Sequence, residues 1–486
     1  MIRKDKGRKQ IKLVFGSLMI LAMQLWIFYP ANAQQDSLLY EKTAKLIRIS
    51  INEGNPQAIY SMTSVNFHQK MTEGQFAAGM NRFKVKSGEW LKTSFRDRNE
   101  KGWNYIADFE LGQQVFSLKL DEQGKIDRMN FSAIPFVIAP KTEQARSDNA
   151  LKSKLDMEVE KQVRPYIQLG NTAGLVLAII DRGKVYRYHY GTVDKRHSEL
   201  PKSSTIFEIG SITKTFTSLL LAQELVSGKM GLNDPVDNYL PDSIRLIGPH
   251  GNPVRLIHLS NHTSGFPRLP ANIFNGNIDP QNPYRHFVVD SLYSNLVHFR
   301  TDTQPGKSFS YSNYGAGLLG TILEKHSGSD FGKLIESRIC RPLLMRHTFV
   351  DIPTKLEDTF AQGYNEQGLA TGPWDLASLK GSGAVRSTLD DMVIYARAQL
   401  GEDNPLQNAI DLSHVPTFAG PGQVMAMGWR IDKIGQQDYY HHSGGTGGFR
   451  SYIGFDKGRR FAVVILSNAA VDVTEIGESI IKYREH

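Results

Sequence analysis

A serine and a lysine lie one helical turn apart in the stretch FEIGSITKTFTSLLLAQEL, residues 207–225. Its apolar pattern predicts a helix that begins near Ser211, so the amine of Lys214 would lie on the same face as the serine hydroxyl. A hydroxyl with a neighbouring base can act as a nucleophile in acyl transfer, if the base can take its proton near neutral pH. The same spacing recurs at Ser479 and Lys482, so this pair alone does not define a site.

A tyrosine and an asparagine two positions apart occur twice downstream. Tyr311 and Asn313 follow a Pro-Gly turn at residues 305–306 and precede the glycine-rich apolar run GAGLLG. Tyr293 and Asn295 lie instead inside DSLYSNLVHFR, whose apolar spacing predicts an amphipathic helix. We therefore expect chemistry at Tyr311 and packing at Tyr293.

The stretch HHSGGTGGFRSYIGF, residues 441–455, is rich in glycine and leads into a predicted strand. Glycine lets a backbone approach a substrate closely, so amides in this stretch can donate hydrogen bonds to a reacting carbonyl oxygen. No tight group of metal-ligating residues accompanies the paired histidines, and we expect neither a metal nor a cofactor. We interpret His441 as a loop histidine without a role, and Ser264 in HTSG as structural because it lacks a base partner.

These motifs occur in the order S-x-x-K, Y-x-N and H-S-G, which resembles the signature of the serine β-lactamases and penicillin-binding proteins. The tyrosine in the middle motif is similar to the branch that contains class C β-lactamases, D-alanyl-D-alanine carboxypeptidases and family VIII esterases. The phrases LIHLSNHTSGF, GSGAVRSTLDDM and MGWRI also resemble that branch. The likeness covers residues 151–486. It implies an antiparallel sheet flanked by helices, with a mainly helical second lobe.

The resemblance implies a role for each matching residue. Ser211 would attack a carbonyl carbon, and Tyr311 with Lys214 would accept the serine proton and later activate the deacylating water. Which of these two groups holds the proton at rest stays open, because they would titrate together. Asn313 would bind the amide side of the substrate. The backbone N–H groups of Ser211 and Gly445 would form the oxyanion hole.

The third motif departs from the β-lactamases, which carry a lysine where this chain has His442. His442, Ser443 and Gly444 are the corresponding substrate-binding residues. Because an imidazole is mostly neutral at pH 7, it would hold a substrate carboxylate less well than an ammonium group does. This difference weakens the case for efficient β-lactam hydrolysis and leaves peptidase and esterase chemistry open.

The helices and strands that must position these residues come from both ends of residues 151–486. A helix over residues 151–167 precedes the buried strand AGLVLAIID and a hairpin, while GFRSYIGFD and FAVVILSN precede a C-terminal amphipathic helix. We therefore expect one α+β domain whose sheet is assembled from both termini. Residues 230–430 would then form the largely helical second lobe.

The N-terminal part contains a predicted targeting signal and a predicted accessory domain. Residues 1–33 have a basic start, an apolar run and a small-x-small triplet, which indicate a secretory signal and a periplasmic or secreted protein. The alternative is an uncleaved membrane anchor through residues 13–29. Helical and strand patterns over residues 34–138 resemble the small α+β NTF2-like domains. The polar residues 139–150 form the predicted linker to the hydrolase domain, residues 151–486.

Charge and cysteine content exclude some classes of protein. The net charge is +8, but the first 33 residues hold six Lys or Arg against one Asp, so most of this charge belongs to the signal. The remaining chain gives no electrostatic case for nucleic-acid binding. The single cysteine, Cys340, cannot form an internal disulfide, and its apolar neighbours predict burial.

Together these features predict an exported serine hydrolase that acts through an acyl-enzyme on an amide or ester. D-Ala-D-Ala-type peptides, β-lactams and small esters are the candidate substrates, and a cell-wall peptide is a possible partner. The alternative is a penicillin-binding sensor or scaffold with little turnover. Membrane association is expected only if the signal stays uncleaved.

Overall fold

The computed structural model describes residues 30–100, 102–133, 138–275, 278–279, 281–301 and 303–483. The chain divides into two compact units between Phe136 and Val137. Most of the predicted signal, including the alternative anchor at residues 13–29, lies outside the described residues. Within the described part, no helix is both long enough and apolar enough to cross a membrane.

The helices and strands of the described residues follow in chain order. The α-helices are α1 (Pro30–Asn52), α2 (Pro56–Tyr60), α3 (Val65–Lys70), α4 (Glu73–Ser87), α5 (Lys154–Ile167), α6 (Thr213–Val226), α7 (Leu256–Ser260), α8 (Val289–Val297), α9 (Asn313–Ser327), α10 (Phe331–Ile335), α11 (Arg341–Leu343), α12 (Leu389–Gln399), α13 (Gln407–Ser413) and α14 (Thr474–Lys482). The strands are β1 (Trp90–Asn99), β2 (Gly102–Phe109), β3 (Gly112–Leu120), β4 (Ile126–Ala133), β5 (Gly174–Asp181), β6 (Lys184–Gly191), β7 (Ile206–Glu208), β8 (Gly363–Tyr364), β9 (Ala370–Thr371), β10 (Arg386–Thr388), β11 (Phe418–Gly420), β12 (Gln423–Met425), β13 (Arg430–Ile434), β14 (Gln437–Gly445), β15 (Arg450–Asp456) and β16 (Phe461–Ser467).

The N-terminal unit consists of helices α1–α4 and an antiparallel sheet in the order β1-β2-β3-β4. Its core contains Ile47 from α1, Phe76 from α4 and Phe116 from β3. The sequence pattern predicts β2, β3 and β4 but misses β1, because this edge strand buries little beyond Trp90 and is mostly exposed. The unit therefore has the predicted α+β character, while its resemblance to NTF2-like domains stays a prediction.

The second unit contains an eight-stranded antiparallel sheet in the order β11-β12-β13-β14-β15-β16-β5-β6. Strand β5, near the start of the unit, pairs with β16, near its end. The expectation of one sheet assembled from both termini is thus confirmed. This arrangement brings the strand that carries the third motif, β14, into the same sheet as the N-terminal hairpin β5–β6.

Helices cover both faces of this sheet. On β5, Leu175, Leu177 and Ile179 face α5 and α14 in one apolar core. The alternate residues Val176, Ala178 and Ile180 join a larger core with α6 and α12 on the other face. Because both faces are buried, the strand reads as a continuous apolar run rather than as an alternating one.

The segment between the sheet-forming ends carries helices α7–α13, joined by long irregular stretches and short strand pairs. Helix α9 packs closely on the turn at residues 377–382. A Cβ atom on Gly317 of the helix would lie only 2.6 Å from Leu379 of the turn. One boundary of the predicted lobe was wrong, since residues 418–430 contribute β11, β12 and the start of β13 to the main sheet. These strands are short and partly polar, which is why their pattern is weak.

Candidate active site

Ser211 lies in a 3₁₀ turn, Gly210–Ile212, that connects β7 to helix α6. The turn is pressed against the last residues of β14. Gly210 has a φ angle of +50°, and a Cβ atom there would lie 2.6 Å from the amide nitrogen of Gly445. Glycine is required at this position by both the backbone conformation and the close approach. The turn thereby presents Ser211 next to the Gly445 amide.

Lys214 lies on the first turn of α6, and its Nζ is 3.0 Å from Ser211 Oγ. The amine also donates a hydrogen bond of 2.6 Å to the carbonyl oxygen of Ser382. Only 2% of the residue is exposed, and the described ion pairs include no carboxylate partner for it. Burial, helped by the charge of Arg268, lowers the pKa of Lys214 well below its usual value. A buried amine of this kind can be uncharged near neutral pH and act as a base.

Tyr311 precedes helix α9 and lies against both members of this pair. Its ring centroid is 4.9 Å from Lys214 Nζ. Burial raises the pKa of the Tyr311 hydroxyl, while a hydrogen bond with Ser211 and the charge of Arg268 oppose this increase. The structure thus brings together the hydroxyl, the amine and the phenol that the sequence motifs single out.

The residues that follow Tyr311 begin helix α9. Ser312 caps the helix, because its Oγ accepts a hydrogen bond of 2.9 Å from the N–H of Gly315. Asn313 lines a narrow cleft together with Ser211 and Gly445. Its Oδ1 is buried and has no hydrogen-bond partner among the described residues, so an acceptor is available in this cleft.

The second tyrosine motif lies elsewhere, on helix α8. The ring of Tyr293 is covered by Lys325, whose Nζ is 4.6 Å from the ring centroid. Asn295 accepts a hydrogen bond of 2.7 Å from the hydroxyl of Tyr314. This copy therefore takes part in packing and hydrogen bonding between helices α8 and α9, as its apolar spacing predicts.

Strand β14 carries the third motif. Gly444 lies so close to the serine turn that a Cβ atom there would be 2.0 Å from the carbonyl oxygen of Ile209. The same carbonyl accepts a hydrogen bond of 2.8 Å from Ser451 on β15. Gly445 lines the cleft, whereas Ser443 is exposed and is not among the residues that line it.

His442 is buried beside Tyr311, with a ring-centroid distance of 6.3 Å. Its Nδ1 donates a hydrogen bond of 2.7 Å to the carbonyl oxygen of Ser443, which leaves Nε2 as an unprotonated acceptor. This Nε2 is buried and accepts no hydrogen bond from the part of the chain that the structure describes. Burial above all lowers the pKa of His442 to about 3, so the ring is uncharged at neutral pH.

The prediction that His441 lies in a loop was wrong, while its lack of a functional role stays a prediction. His441 lies within β14, and its Nε2 is 3.0 Å from Oδ2 of Asp432 on the neighbouring strand.

Among the described residues, no group of three or more His, Cys, Asp or Glu side chains is placed to hold a metal ion. Cys340 is buried, and burial raises the pKa of its thiol. Ser264 is also buried, and its Oγ accepts a hydrogen bond from the N–H of Phe266.

Sequence reasoning missed two side chains that lie against Tyr311. The ring of His262 is 4.4 Å from the ring of Tyr311, and its Nδ1 accepts a hydrogen bond of 3.2 Å from the N–H of Ser312. The guanidinium carbon of Arg268 lies 5.2 Å from the same ring. Both residues follow helix α7 in irregular backbone, so no periodic pattern marks them. The segment LSNHTSGF, through its resemblance to the family, was the one sequence feature that could have indicated His262.

A buried ion pair supports one wall of the cleft. Glu208 accepts a hydrogen bond of 2.9 Å from the N–H of Trp374, and Arg386 donates one of 2.7 Å to the carbonyl oxygen of the same residue. Arg386 also pairs with Glu208 at 3.3 Å. This arrangement fixes the backbone of Trp374, whose side chain lines the cleft and packs edge-on against Tyr284.

The geometry defines a serine-hydrolase site, in which a hydroxyl and a buried amine lie within hydrogen-bond distance beside backbone amides. The family model for beta-lactamase matches residues 159–479, and the chain belongs to this family. It is a β-lactamase-related serine hydrolase. The predicted resemblance to the serine β-lactamases and penicillin-binding proteins is thus confirmed.

Similar proteins include two named beta-lactamase. The one from Pseudomonas fluorescens is 27% identical over 348 residues, which cover 64% of this chain and 92% of that protein. The one from Escherichia coli strain K12 is 27% identical over 351 residues, covering 64% of this chain and 88% of that protein.

Solved structures share the fold. A beta-lactamase/D-alanine carboxypeptidase from Pseudomonas syringae superposes with a TM-score of 0.61 at 24% identity, covering 69% of this chain and all of that one. A D-alanine carboxypeptidase from Burkholderia cenocepacia gives a TM-score of 0.59 at 25% identity, covering 67% of this chain and 98% of that one. The predicted antiparallel sheet flanked by helices is therefore confirmed.

Proposed function

We propose that the protein is an exported hydrolase that cleaves an amide or ester bond through an acyl-enzyme on Ser211. The observation that carries this proposal is the distance of 3.0 Å between Lys214 Nζ and Ser211 Oγ, at an amine that has no described carboxylate partner. As Oγ attacks the carbonyl carbon, its proton passes to Lys214, either directly or by way of the Tyr311 hydroxyl. The leaving group then takes this proton, and water hydrolyses the ester on Ser211.

The backbone N–H groups of Ser211 and Gly445 are the proposed oxyanion hole. Their support is the close packing of the serine turn on β14, where Gly210 approaches the Gly445 amide. Fixed donors of this kind stabilise the negative oxygen that develops in the transition state. Asn313 is the proposed ligand of the substrate amide, because its unpartnered Oδ1 can accept a hydrogen bond from an N–H group.

The neutral His442 bears on the choice of substrate. An uncharged imidazole with a free Nε2 accepts hydrogen bonds and offers no positive charge to a carboxylate. We therefore favour small esters over β-lactams as substrates. D-Ala-D-Ala-type peptides stay candidates, but their terminal carboxylate would likewise receive no charge from His442. We keep Ser443 and Gly444 as proposed contributors through the backbone of β14, since the Ser443 side chain is exposed.

We further propose that the protein acts outside the cytoplasm on a cell-wall peptide or another small substrate. The support is the basic and apolar pattern of residues 1–33. Attachment to a membrane through residues 13–29 is the alternative if the signal stays uncleaved. The domain boundaries at residues 34–138, 139–150 and 151–486 are part of this proposal.

Turnover of 4-nitrophenyl acetate tests the proposed reaction. Wild-type protein should release nitrophenolate over many cycles, and Ser211→Ala should lower the rate by about 10³-fold or more because the nucleophile is lost. Ser479→Ala is the matched control, since Ser479 shares the same spacing to a lysine but lies on the C-terminal helix. A single burst equal to the protein concentration would favour the penicillin-binding sensor instead.

A further inference from the structure

Arg268 is held beside the proposed catalytic residues by its backbone. Its carbonyl oxygen accepts hydrogen bonds from the N–H groups of Asn313, at 2.9 Å, and Tyr314, at 3.2 Å. The position of Arg268 is thereby tied to the start of helix α9. The next residue, Leu269, lines the same cleft as Ser211 and Asn313.

The side chain of Arg268 is exposed, and its guanidinium carbon lies 5.2 Å from the centre of the Tyr311 ring. The ion pairs of the described residues include no carboxylate partner for it. Its positive charge acts on buried groups of the site, since it helps to lower the pKa of Lys214 and opposes the increase at Tyr311. Arg268 therefore places a positive charge beside Tyr311, with no carboxylate partner among the described ion pairs.

A second arginine near the site is placed differently. Arg430 begins strand β13, opposite His441, and its guanidinium carbon lies 5.7 Å from the ring of Phe309. Its charge is partly balanced by Asp432, whose pKa it helps to lower. Arg268 lies on the Asn313 side of Tyr311, whereas Arg430 lies on the strand next to His442. The two arginines thus lie on different elements of the fold.

We propose that Arg268 determines specificity by binding a carboxylate on the acyl part of the substrate. The acyl part is assigned because Arg268 is fixed to Asn313, and the amide that Asn313 is proposed to bind lies within the acyl group rather than at the scissile bond, whose N–H leaves with the amine. An arginine is well suited to this task, since its planar guanidinium binds a carboxylate through two parallel hydrogen bonds. This inference rests on the proposed hydrolase function and adds a substrate class to it: amides or esters with an acidic acyl group.

Two 4-nitrophenyl esters of similar length test the inference, the adipate monoester with a terminal carboxylate and the neutral heptanoate. The readout is the ratio of kcat/KM for the anionic ester to that for the neutral one, after subtraction of spontaneous hydrolysis. A ratio is needed because removal of the Arg268 charge also alters the field at Lys214 and Tyr311. Arg268→Gln should lower this ratio about tenfold, mainly through a higher KM for the adipate ester.

Three further variants make the test specific. Arg268→Lys should keep part of the preference, because it retains the charge but loses the paired hydrogen bonds. Arg245→Gln controls for net charge and should keep the wild-type ratio, since Arg245 is exposed and weakly paired with Asp242. An unchanged ratio in Arg268→Gln, or an equal loss in Arg430→Gln, would overturn this inference but would leave the proposed hydrolase function standing. Failure of the wild type to hydrolyse either ester would overturn the proposed function, and the inference with it.

Discussion

The environment of Lys214 explains how a serine hydroxyl could be activated without a histidine base. The amine is almost fully buried, has no described carboxylate partner and lies near the cation of Arg268. Each of these conditions disfavours the ammonium form, so the free amine is available to take a proton. At Tyr311, burial also favours the uncharged form, which for a phenol is the protonated one. At rest, the two groups therefore favour a neutral amine beside a neutral phenol.

The two tyrosine motifs allow a matched test at the scale of single residues. Tyr311→Phe should lower ester turnover by about 10²–10⁴-fold, because it removes a proton-transfer group beside Ser211. Tyr293→Phe should leave turnover near the wild-type value, since this residue packs under Lys325 on another helix. The measurement is kcat/KM for 4-nitrophenyl acetate. Equal losses in both variants would show that Tyr311 has been given the wrong role.

Single residues also show how far the sequence can predict the site. The contact between Ser211 and Lys214 could be predicted because both lie within one turn of backbone, where distance follows from periodicity. The choice of this pair over Ser479 and Lys482 needed the order of the other motifs. His262 and Arg268 could not be predicted in this way. They reach Tyr311 from an irregular segment, and their placement depends on hydrogen bonds to the start of helix α9.

At the scale of elements, the site depends on contact between the serine turn and strand β14. Glycines at positions 210 and 444 allow the two backbones to approach closely, and Ser451 fastens β15 to the same turn. A fixed arrangement of this kind is needed to hold the Gly445 amide beside Ser211, the proposed nucleophile. The glycine-rich motif is thus a packing requirement as well as a proposed binding element.

Gly444→Ala tests this contact. The added methyl group would lie 2.0 Å from the carbonyl oxygen of Ile209 and 2.3 Å from Ser451 Oγ, so β14 must move away from the turn. We expect turnover of 4-nitrophenyl acetate to fall by about 10²-fold, the effect of losing one oxyanion donor. Gly372→Ala is the control, because a Cβ atom there has no neighbour within 4 Å. Full activity of correctly folded Gly444→Ala would contradict the proposed oxyanion hole.

The elements of the fold differ in how clearly the sequence marks them. Strands β5 and β16 are buried on both faces, and their continuous apolar runs are easy to recognise. Strand β1 is an exposed edge with many charged residues, and β11 and β12 are only three residues long. For these strands, pairing with a neighbour rather than local pattern determines the structure.

At the scale of the whole molecule, buried uncharged histidines couple folding to pH. His414 and His442 both lie in the core of the second unit, and burial lowers the pKa of each to about 3. In the unfolded chain, each would take up a proton below about pH 6.5. Protonation therefore favours the unfolded chain as the pH falls from 6.5 towards 3.

Protonation of these two histidines in the unfolded chain should consequently destabilise the protein in mild acid. We expect the free energy of unfolding to fall by roughly 2 kcal/mol for each of the two histidines between pH 6.5 and 4.5. Urea denaturation followed by circular dichroism at both pH values measures the change. His414→Gln should be less stable throughout, owing to lost packing, but its loss between the two pH values should be smaller. The same pH dependence in both proteins would contradict this account.

The most direct test of the central claim is the mass of the intact protein during turnover. Wild-type protein and Ser479→Ala, mixed briefly with 4-nitrophenyl heptanoate and quenched in acid, should each gain the mass of one heptanoyl group, whereas Ser211→Ala should gain none. Peptide mapping should place the acyl group on Ser211. An adduct that persists in Ser211→Ala, or one that maps to another residue, would contradict the assignment of Ser211 as the nucleophile.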